Sequence, residues 1–156
     1  MASAYVTGLK MLARRELSEA QIRTRLARRQ FEPDDIDAAV TRLQAERALD
    51  DRRTALACAR TEAHVKRHGR LRALRQLETL GIARDVARAA VGEVFGDLDE
   101  RAMIARALQK KLRGRPRIAS PAEHARLYQF LMRQGFSPAG IVAALRTLGG
   151  RADSIE

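Results

Sequence analysis

The sequence has little of what several large protein classes depend on. Its 156 residues contain one cysteine, no tryptophan, two tyrosines and four phenylalanines. The single cysteine, Cys58, cannot form an internal disulfide, and its small neighbours predict a buried helix position. No apolar run reaches the length of a membrane span, and the opening MASAYVTGLK lacks the apolar centre of a signal peptide. These absences predict a cytoplasmic protein that makes no use of a membrane.

The common enzyme signatures are also missing. The sequence contains no GxxxxGK[ST] loop, no GxGxxG after a predicted strand and no GxSxG turn. Its acidic residues cluster at predicted helix starts, where the helix dipole explains them better than acid–base catalysis does. We therefore predict that the protein is not an enzyme and uses no cofactor.

Two histidines one helical turn apart raise the question of a metal. His64 and His68 have the basic neighbours Lys66 and Arg67, and no nearby cysteine or carboxylate completes a ligand set. We predict no metal, with both histidines either solvated or in contact with a phosphate. A metal-dependent enzyme acting through this pair is the alternative.

What the chain does have is apolar residues at helical spacing. The core must be built from Leu, Ile, Val and Ala, and no segment alternates as strands do, so the pattern predicts an all-α protein of nine helices. Ser18, Pro33, Pro121 and Pro138 mark helix starts, and Gly81 marks a left-handed helix end. The predicted apolar stripes include Tyr5, Val6, Leu9, Leu12 and Ala13 in the first helix, Leu71, Leu74 and Leu77 in the fifth, and Leu98, Ala102, Ala105, Leu108 and Leu112 in the seventh.

A fifteen-residue pattern occurs three times along the chain. Its copies read LARRQFEPDDIDAAV, LETLGIARDVARAAV and LMRQGFSPAGIVAAL, and Phe31, Ile82 and Phe136 hold the same place in each as predicted core residues. Recurrence of this kind predicts tandem structural units. We predict three three-helix repeats followed by a polar tail: residues 1–49, 50–96, 97–150 with a linker at 114–119, and the tail at 151–156. Gly69 and Gly96 mark possible joints at which two chains would exchange repeats, so the oligomeric state stays open.

Basic residues far outnumber acidic ones. The formal net charge is +11, and 26 of the 30 basic residues are arginines. Such an excess predicts attraction to polyanions, although a biased Ala- and Arg-rich composition would also produce it. The basic residues fall into three groups, and the spacing of Arg25, Arg28 and Arg29 places them on one flank of a helix. Like charges so close repel one another unless an anion meets them, which favours a binding function.

Four segments resemble the RecX family of regulatory proteins. They are GLKMLARRELSEAQIRTRLARRQF at residues 8–31, LDDRR at 49–53, HGRLRALRQLETLGI at 68–82 and FLMRQGF at 130–136. The chain departs from the family pattern at Gln30, where a glycine is usual, and at Thr54, Ala55 and Leu56, where an aromatic is usual. It also lacks the family's glutamate just before Leu77.

The resemblance implies an elongated, curved, right-handed-type array of three three-helix repeats. It also implies that the protein binds the RecA recombinase and its filament on single-stranded DNA. There it would inhibit ATP hydrolysis, strand exchange and co-protease activity, and so restrain recombination and the SOS response. The candidate contacts to this filament, and non-specifically to DNA phosphates, are Arg14, Arg15, Arg25, Arg28, Arg29, Arg67, Arg70, Arg72, Arg75, Lys110 and Lys111. The alternative is a helix-turn-helix-like regulator that reads a duplex sequence, but no predicted helix carries a clear groove-reading face.

Overall fold

A computed structural model describes residues 1–149 of the chain. The regular secondary structure of this range is helical, without a strand. Its α-helices are α1 (Ala4–Arg14), α2 (Glu19–Arg28), α3 (Pro33–Ala45), α4 (Asp51–Arg60), α5 (Arg70–Thr79), α6 (Arg84–Phe95), α7 (Glu100–Leu112), α8 (Pro121–Gln134) and α9 (Pro138–Leu148). A π-helical turn, Thr61–Val65, continues α4. The helices α1 to α3 pack together, and α7 to α9 do likewise. The predicted all-α fold of tandem three-helix repeats is confirmed.

The chain forms two compact units. Within the described residues, unit 1 comprises 1–59 and 74–92, and unit 2 comprises 60–73 and 93–149. Both α5 and α6 therefore begin in one unit and end in the other. The repeat boundaries at 49/50 and 96/97 stay predictions, and the predicted polar tail at 151–156 lies outside the described residues. No helix within residues 1–149 combines the length and apolar character needed to cross a bilayer.

Helix starts follow the local sequence signals. The Ser18 hydroxyl accepts a hydrogen bond from the Gln21 amide, and the Gln21 side chain accepts one from the Ser18 amide, which together form a capping box. The same hydroxyl donates to the Leu80 carbonyl, also in unit 1. Pro33, Pro121 and Pro138 each open a helix, as predicted. Local chemistry thus sets where the helices begin.

The three copies of the fifteen-residue pattern contain the same type of helix end. The residues at its left-handed position are Gln30, Gly81 and Gly135, with φ of +66°, +75° and +93°. In each copy the next amide donates to a carbonyl five residues earlier: Phe31 to Leu26, Ile82 to Leu77 and Phe136 to Leu131. This is the geometry of a Schellman-type end. The recurring fifteen-residue pattern therefore encodes a helix end and the helix that follows it.

Of the residues predicted to be buried, some are buried and others are only half-buried. Ile82 and Phe136 are buried, whereas Phe31 is only half-buried against the unit 1 core. Cys58, predicted to be buried, is half-buried in α4.

The apolar face predicted for α1 was wrong in part, because only Tyr5 and Leu12 of the predicted stripe pack against the core. Val6 and Leu9 are 37% and 39% exposed, while the small residues Ala4, Thr7 and Gly8 are buried. The reason is a close approach between helices, because a Cβ on Gly8 would lie only 3.0 Å from a Leu43 methyl. The helix therefore turns its small residues toward α3.

Two further stripes were misassigned in part. In α7 the buried residues are Ile104, Leu108 and Leu112, whereas Ala102 and Ala105 are exposed. Larger side chains bury more apolar area, so Ile104 takes the inward position. In α5, Leu71 is 43% exposed and Ala73 is buried. The Leu71 amide donates to the Gly135 carbonyl at 3.0 Å, which ties the start of α5 to the residue that ends α8.

Candidate polyanion-binding site

Five of the predicted arginines come together in unit 1. A cavity of about 520 Å³ lies between the end of α1 and the last turns of α2. Its lining residues are Ala2, Thr7, Lys10, Met11, Arg14, Arg15, Arg25, Arg28 and Arg29. Arg14 belongs to the last turn of α1, and Arg25 and Arg28 to the last turn of α2, where the negative end of a helix dipole favours cations.

These five arginines lack acidic partners. Within residues 1–149, no carboxylate lies within 4.0 Å of any of them. Some acidic residues of unit 1 pair with other arginines instead: Arg23 bonds Asp37 at 2.6 Å, and Arg53 bonds Glu16 at 2.8 Å. The five cavity arginines are therefore like charges close together, and they repel one another unless a bound anion neutralises them.

Hydrogen bonds shift the pKa of three charged groups in unit 1. The hydrogen bond to Asp37 raises the pKa of Arg23, and that to Glu16 raises the pKa of Arg53. A hydrogen bond from the Tyr5 hydroxyl lowers the pKa of Glu46, and a second from Arg42 adds to the effect. These pairs involve Arg23, Arg42 and Arg53, and none of them involves an arginine of the cavity.

A second basic cavity lies within unit 2. It has a volume of about 720 Å³ and collects the predicted residues Arg67, Lys110 and Lys111. The rest of its lining is Val65, Lys66, Met103, Arg106, Ala107, Arg113, Phe130 and Gln134. Among these, Lys66, Arg106 and Arg113 were absent from the predicted contacts. On α7, Met103, Arg106 and Lys110 recur every three or four residues, and Arg113 continues this spacing just beyond the helix end. That spacing is the signal that would have identified Arg106 and Arg113.

Three predicted residues lie elsewhere. Arg70 borders a small gap of about 40 Å³ beside Phe136. The Arg72 guanidinium donates to the Arg133 carbonyl at 3.2 Å, so it serves as a contact between α5 and α8. Arg75 is exposed on α5 and lines neither basic cavity.

The prediction for His68 was wrong. The Glu62 carboxylate is buried, and it contacts His68 Nδ1 at 2.5 Å and Lys66 Nζ at 3.0 Å. Burial raises the pKa of Glu62, but hydrogen bonds from His68 and Lys66 outweigh burial and hold the pKa below its ordinary value. His64 is exposed and stands apart from this cluster. In the part of the chain that the structure describes, no three His, Cys, Asp or Glu side chains converge as a metal site would require.

Comparison with known proteins gives consistent matches. The model of the first three-helix domain of RecX matches residues 4–43, and that of the third matches residues 99–145. A regulatory protein RecX from Ralstonia nicotianae is 33% identical over 138 residues, which cover 88% of this chain and 82% of that protein. One from Chlorobaculum tepidum is 30% identical over 135 residues, covering 86% and 81%.

Length varies among the relatives. The regulatory protein RecX from Geobacillus kaustophilus is 34% identical over 148 residues, yet this chain spans only 54% of it. Among solved structures, RecX from Lactobacillus salivarius superposes with a TM-score of 0.74 at 16% identity, covering 93% of this chain and 94% of that one. The latter similarity bears on the fold alone.

Proposed function

This chain belongs to the RecX family, and from that premise we propose that it binds the RecA recombinase and its filament on single-stranded DNA. In doing so it inhibits the filament's ATP hydrolysis, strand exchange and co-protease activity. It acts by binding and not by catalysis. This activity takes place in the cytoplasm, where it restrains recombination and the SOS response.

The observation that carries this proposal is the arginine cavity of unit 1. Arg14, Arg15, Arg25, Arg28 and Arg29 have no carboxylate within ion-pair distance among residues 1–149. Guanidinium groups form bidentate hydrogen bonds with phosphate oxygens. Contacts of this kind fix a protein on a nucleic acid backbone without reading its sequence. The cavity therefore suits the phosphates of DNA held in a nucleoprotein filament.

Binding is enough for inhibition. A protein that binds one state of the filament more tightly than another shifts the filament toward that state. A shift away from the state that hydrolyses ATP slows turnover without any chemistry by the inhibitor. We therefore expect inhibition to follow occupancy of the filament.

The test is the rate of ATP hydrolysis by RecA on single-stranded DNA as this protein is added. We expect inhibition by the unmodified chain and weaker inhibition by a triple variant, Arg25→Gln, Arg28→Gln and Arg29→Gln. The matched control carries Arg52→Gln, Arg84→Gln and Arg88→Gln. These three are also exposed arginines of unit 1, but they do not line the cavity.

The control removes the same charge, so it separates the cavity from net charge. Equal inhibition by the two triple variants would contradict the role of the cavity. The absence of inhibition by the unmodified chain at every ratio would reject the proposal itself. Tight binding to one duplex sequence without RecA would instead favour a sequence-reading regulator.

A further inference from the structure

Several features that cost stability meet at the cavity of unit 2. The π-helical turn Thr61–Val65 ends at its edge, and π-helical turns are rare and frequent at functional sites. Arg67 and Arg113, both in its lining, have φ of +60° and +52°. A left-handed conformation is unfavourable for a residue with a side chain, by about 1–2 kcal/mol. Strain that converges on one place indicates function.

The charges of this cavity are also largely uncompensated. Lys66 is the one cation of its lining that pairs with a carboxylate within residues 1–149, that of Glu62. Arg106 and Lys110 lie one helical turn apart on α7, where like charges repel. The cavity therefore suits a ligand that carries several negative charges.

The apolar part of the lining distinguishes this cavity from that of unit 1. Val65 is 75% exposed, an unusual state for a valine, and it stands beside Met103, Ala107 and Phe130. The cavity of unit 1 has only Ala2 and Met11 as apolar lining. A ligand for unit 2 must therefore offer apolar groups as well as negative ones.

Nucleic acid fits this lining less well than protein does. A base would have to stack on Phe130, but Lys111 Nζ already lies 4.3 Å from the centre of that ring. Small aliphatic side chains such as Leu or Ile would instead cover Val65, Met103 and Ala107. Carboxylates on the same segment would form ion pairs with the cations of the lining, which include Arg67, Arg106 and Lys110.

We propose that the cavity of unit 2 binds a protein segment that carries carboxylates and aliphatic side chains together. The proposal rests on the proposed function only for the identity of the partner, which is then the RecA subunit of the filament. In that assignment, unit 1 supplies contacts to phosphates and unit 2 supplies contacts to protein. Each unit would thus recognise a different component of the filament.

The first test is fluorescence anisotropy with a labelled synthetic peptide of Glu and Leu. The comparison probe is a peptide of equal charge with Ser in place of Leu. We expect Val65→Ser to lower the affinity for the Glu–Leu peptide about tenfold, because one aliphatic contact between peptide and cavity is lost. The charge variant Arg106→Gln with Lys110→Gln should weaken both peptides. Arg52→Gln, Arg84→Gln and Arg88→Gln, which line neither basic cavity, should leave the affinity within about twofold.

Three results would overturn the proposal. One is equal affinity for the Leu and Ser peptides, which would make the cavity a purely electrostatic site. Another is an unchanged affinity in Val65→Ser, which is safe to interpret because so exposed a side chain adds little to folding. The last is a loss of oligothymidylate binding in Val65→Ser as large as the loss of peptide binding.

Photo-crosslinking on the RecA filament then identifies the partner. A benzophenone amino acid at Val65 should crosslink to protein, and one at Lys10, in the unit 1 cavity, should crosslink to DNA. Crosslinking from Val65 to DNA, or to nothing while the chain co-sediments with the filament, would overturn the assignment. If the chain does not co-sediment at all, the proposed function fails, and the peptide titration alone decides the inference.

Discussion

The buried carboxylate of Glu62 holds His68 across the end of the π-helical turn. Its oxygen lies 2.5 Å from His68 Nδ1, and the Glu62 carbonyl accepts a hydrogen bond from the His68 amide at 2.8 Å. Lys66 Nζ completes the cluster at 3.0 Å. The relationship fixes the segment that leads from the turn to Arg67 and the cavity of unit 2.

Replacing this carboxylate should destabilise the fold. Glu62→Gln keeps the shape of the side chain but removes its charge and weakens both hydrogen bonds. We expect the free energy of unfolding to fall by about 1.5–3 kcal/mol, the usual range for buried hydrogen bonds to charged groups. Urea unfolding monitored by circular dichroism measures it. Glu78→Gln, an exposed substitution on α5, is the control and should change little. Equal effects would mean that the buried cluster adds nothing.

The difference between wild type and Glu62→Gln should also depend on pH. The folded pKa of Glu62 is lowered, because hydrogen bonds from His68 and Lys66 outweigh burial, which acts alone to raise it. A lowered pKa contributes stability above the unfolded pKa of about 4.3 and loses it as pH falls through the folded value. The stabilities of the two proteins should therefore begin to converge as pH falls through about 4.3 and converge fully only below the folded pKa. Unfolding curves from pH 7 to pH 3 would show it, and a constant difference would contradict it.

Glycine should be required at position 135 for two reasons that can be separated. Its φ is +93°, and a Cβ there would lie 2.4 Å from the Arg72 amide nitrogen. Gly114 also has a positive φ, of +80°, but nothing lies within 4 Å of its Cβ position. Gly114→Ala should cost about 1 kcal/mol from backbone strain alone, and Gly135→Ala more than about 2 kcal/mol. Thermal unfolding of both variants compares them, and equal losses would show that the contact relaxes freely.

A glycine at position 30 should stabilise the protein, because the equivalent positions in the other two copies of this helix end are Gly81 and Gly135. Gln30 adopts φ of +66° and makes the same backbone hydrogen bonds as Gly81 and Gly135. Gln30→Gly removes the strain of the left-handed conformation, while the unfolded chain becomes more flexible. We expect a net gain of about 0.5–1 kcal/mol in the free energy of unfolding. A loss of stability would show that the Gln30 side chain makes a contribution larger than its strain.

The local parts of this fold follow from sequence, and the parts that depend on packing do not. The cap at Ser18 and the left-handed Gly81 were predicted because each is decided by residues within one turn. The buried face of α1 was not, because it depends on how closely Gly8 approaches Leu43 from another helix. Hydrophobic periodicity predicts that the face with large apolar residues is buried. Where two helices approach closely, the face with small residues is buried instead.

The candidate sites show the same division. Helical spacing correctly predicted that Arg25, Arg28 and Arg29 lie close together, because all three are at the end of one helix. Helical spacing also paired His64 with His68, and here it failed because the π-helical turn and the left-handed Arg67 break the register between them. The true partner of His68 is Glu62, six residues away, a separation that no regular helix brings into contact.

The salt dependence of DNA binding should report the unit 1 cavity directly. Each phosphate contact on single-stranded DNA contributes roughly 0.7 to the slope of log K against log salt. Arg25→Gln, Arg28→Gln and Arg29→Gln together should lower the slope by about 2. Arg52→Gln, Arg84→Gln and Arg88→Gln should change it much less, although they remove equal charge. Titrations of oligothymidylate at several salt concentrations measure both, and identical slopes would show that only net charge matters.

The left-handed arginines of the unit 2 cavity should trade stability for binding. Arg67→Gly and Arg113→Gly each relieve a positive φ, so each should raise the free energy of unfolding by about 0.5–1 kcal/mol. Each also removes a cation from the cavity, so each should weaken the Glu–Leu peptide. Arg47→Gly is the matched control, because Arg47 has φ of +58° in unit 1 and lies outside the cavity. It should stabilise the fold without changing peptide affinity. If Arg67→Gly and Arg113→Gly keep full affinity, the strain at these two positions does not serve binding.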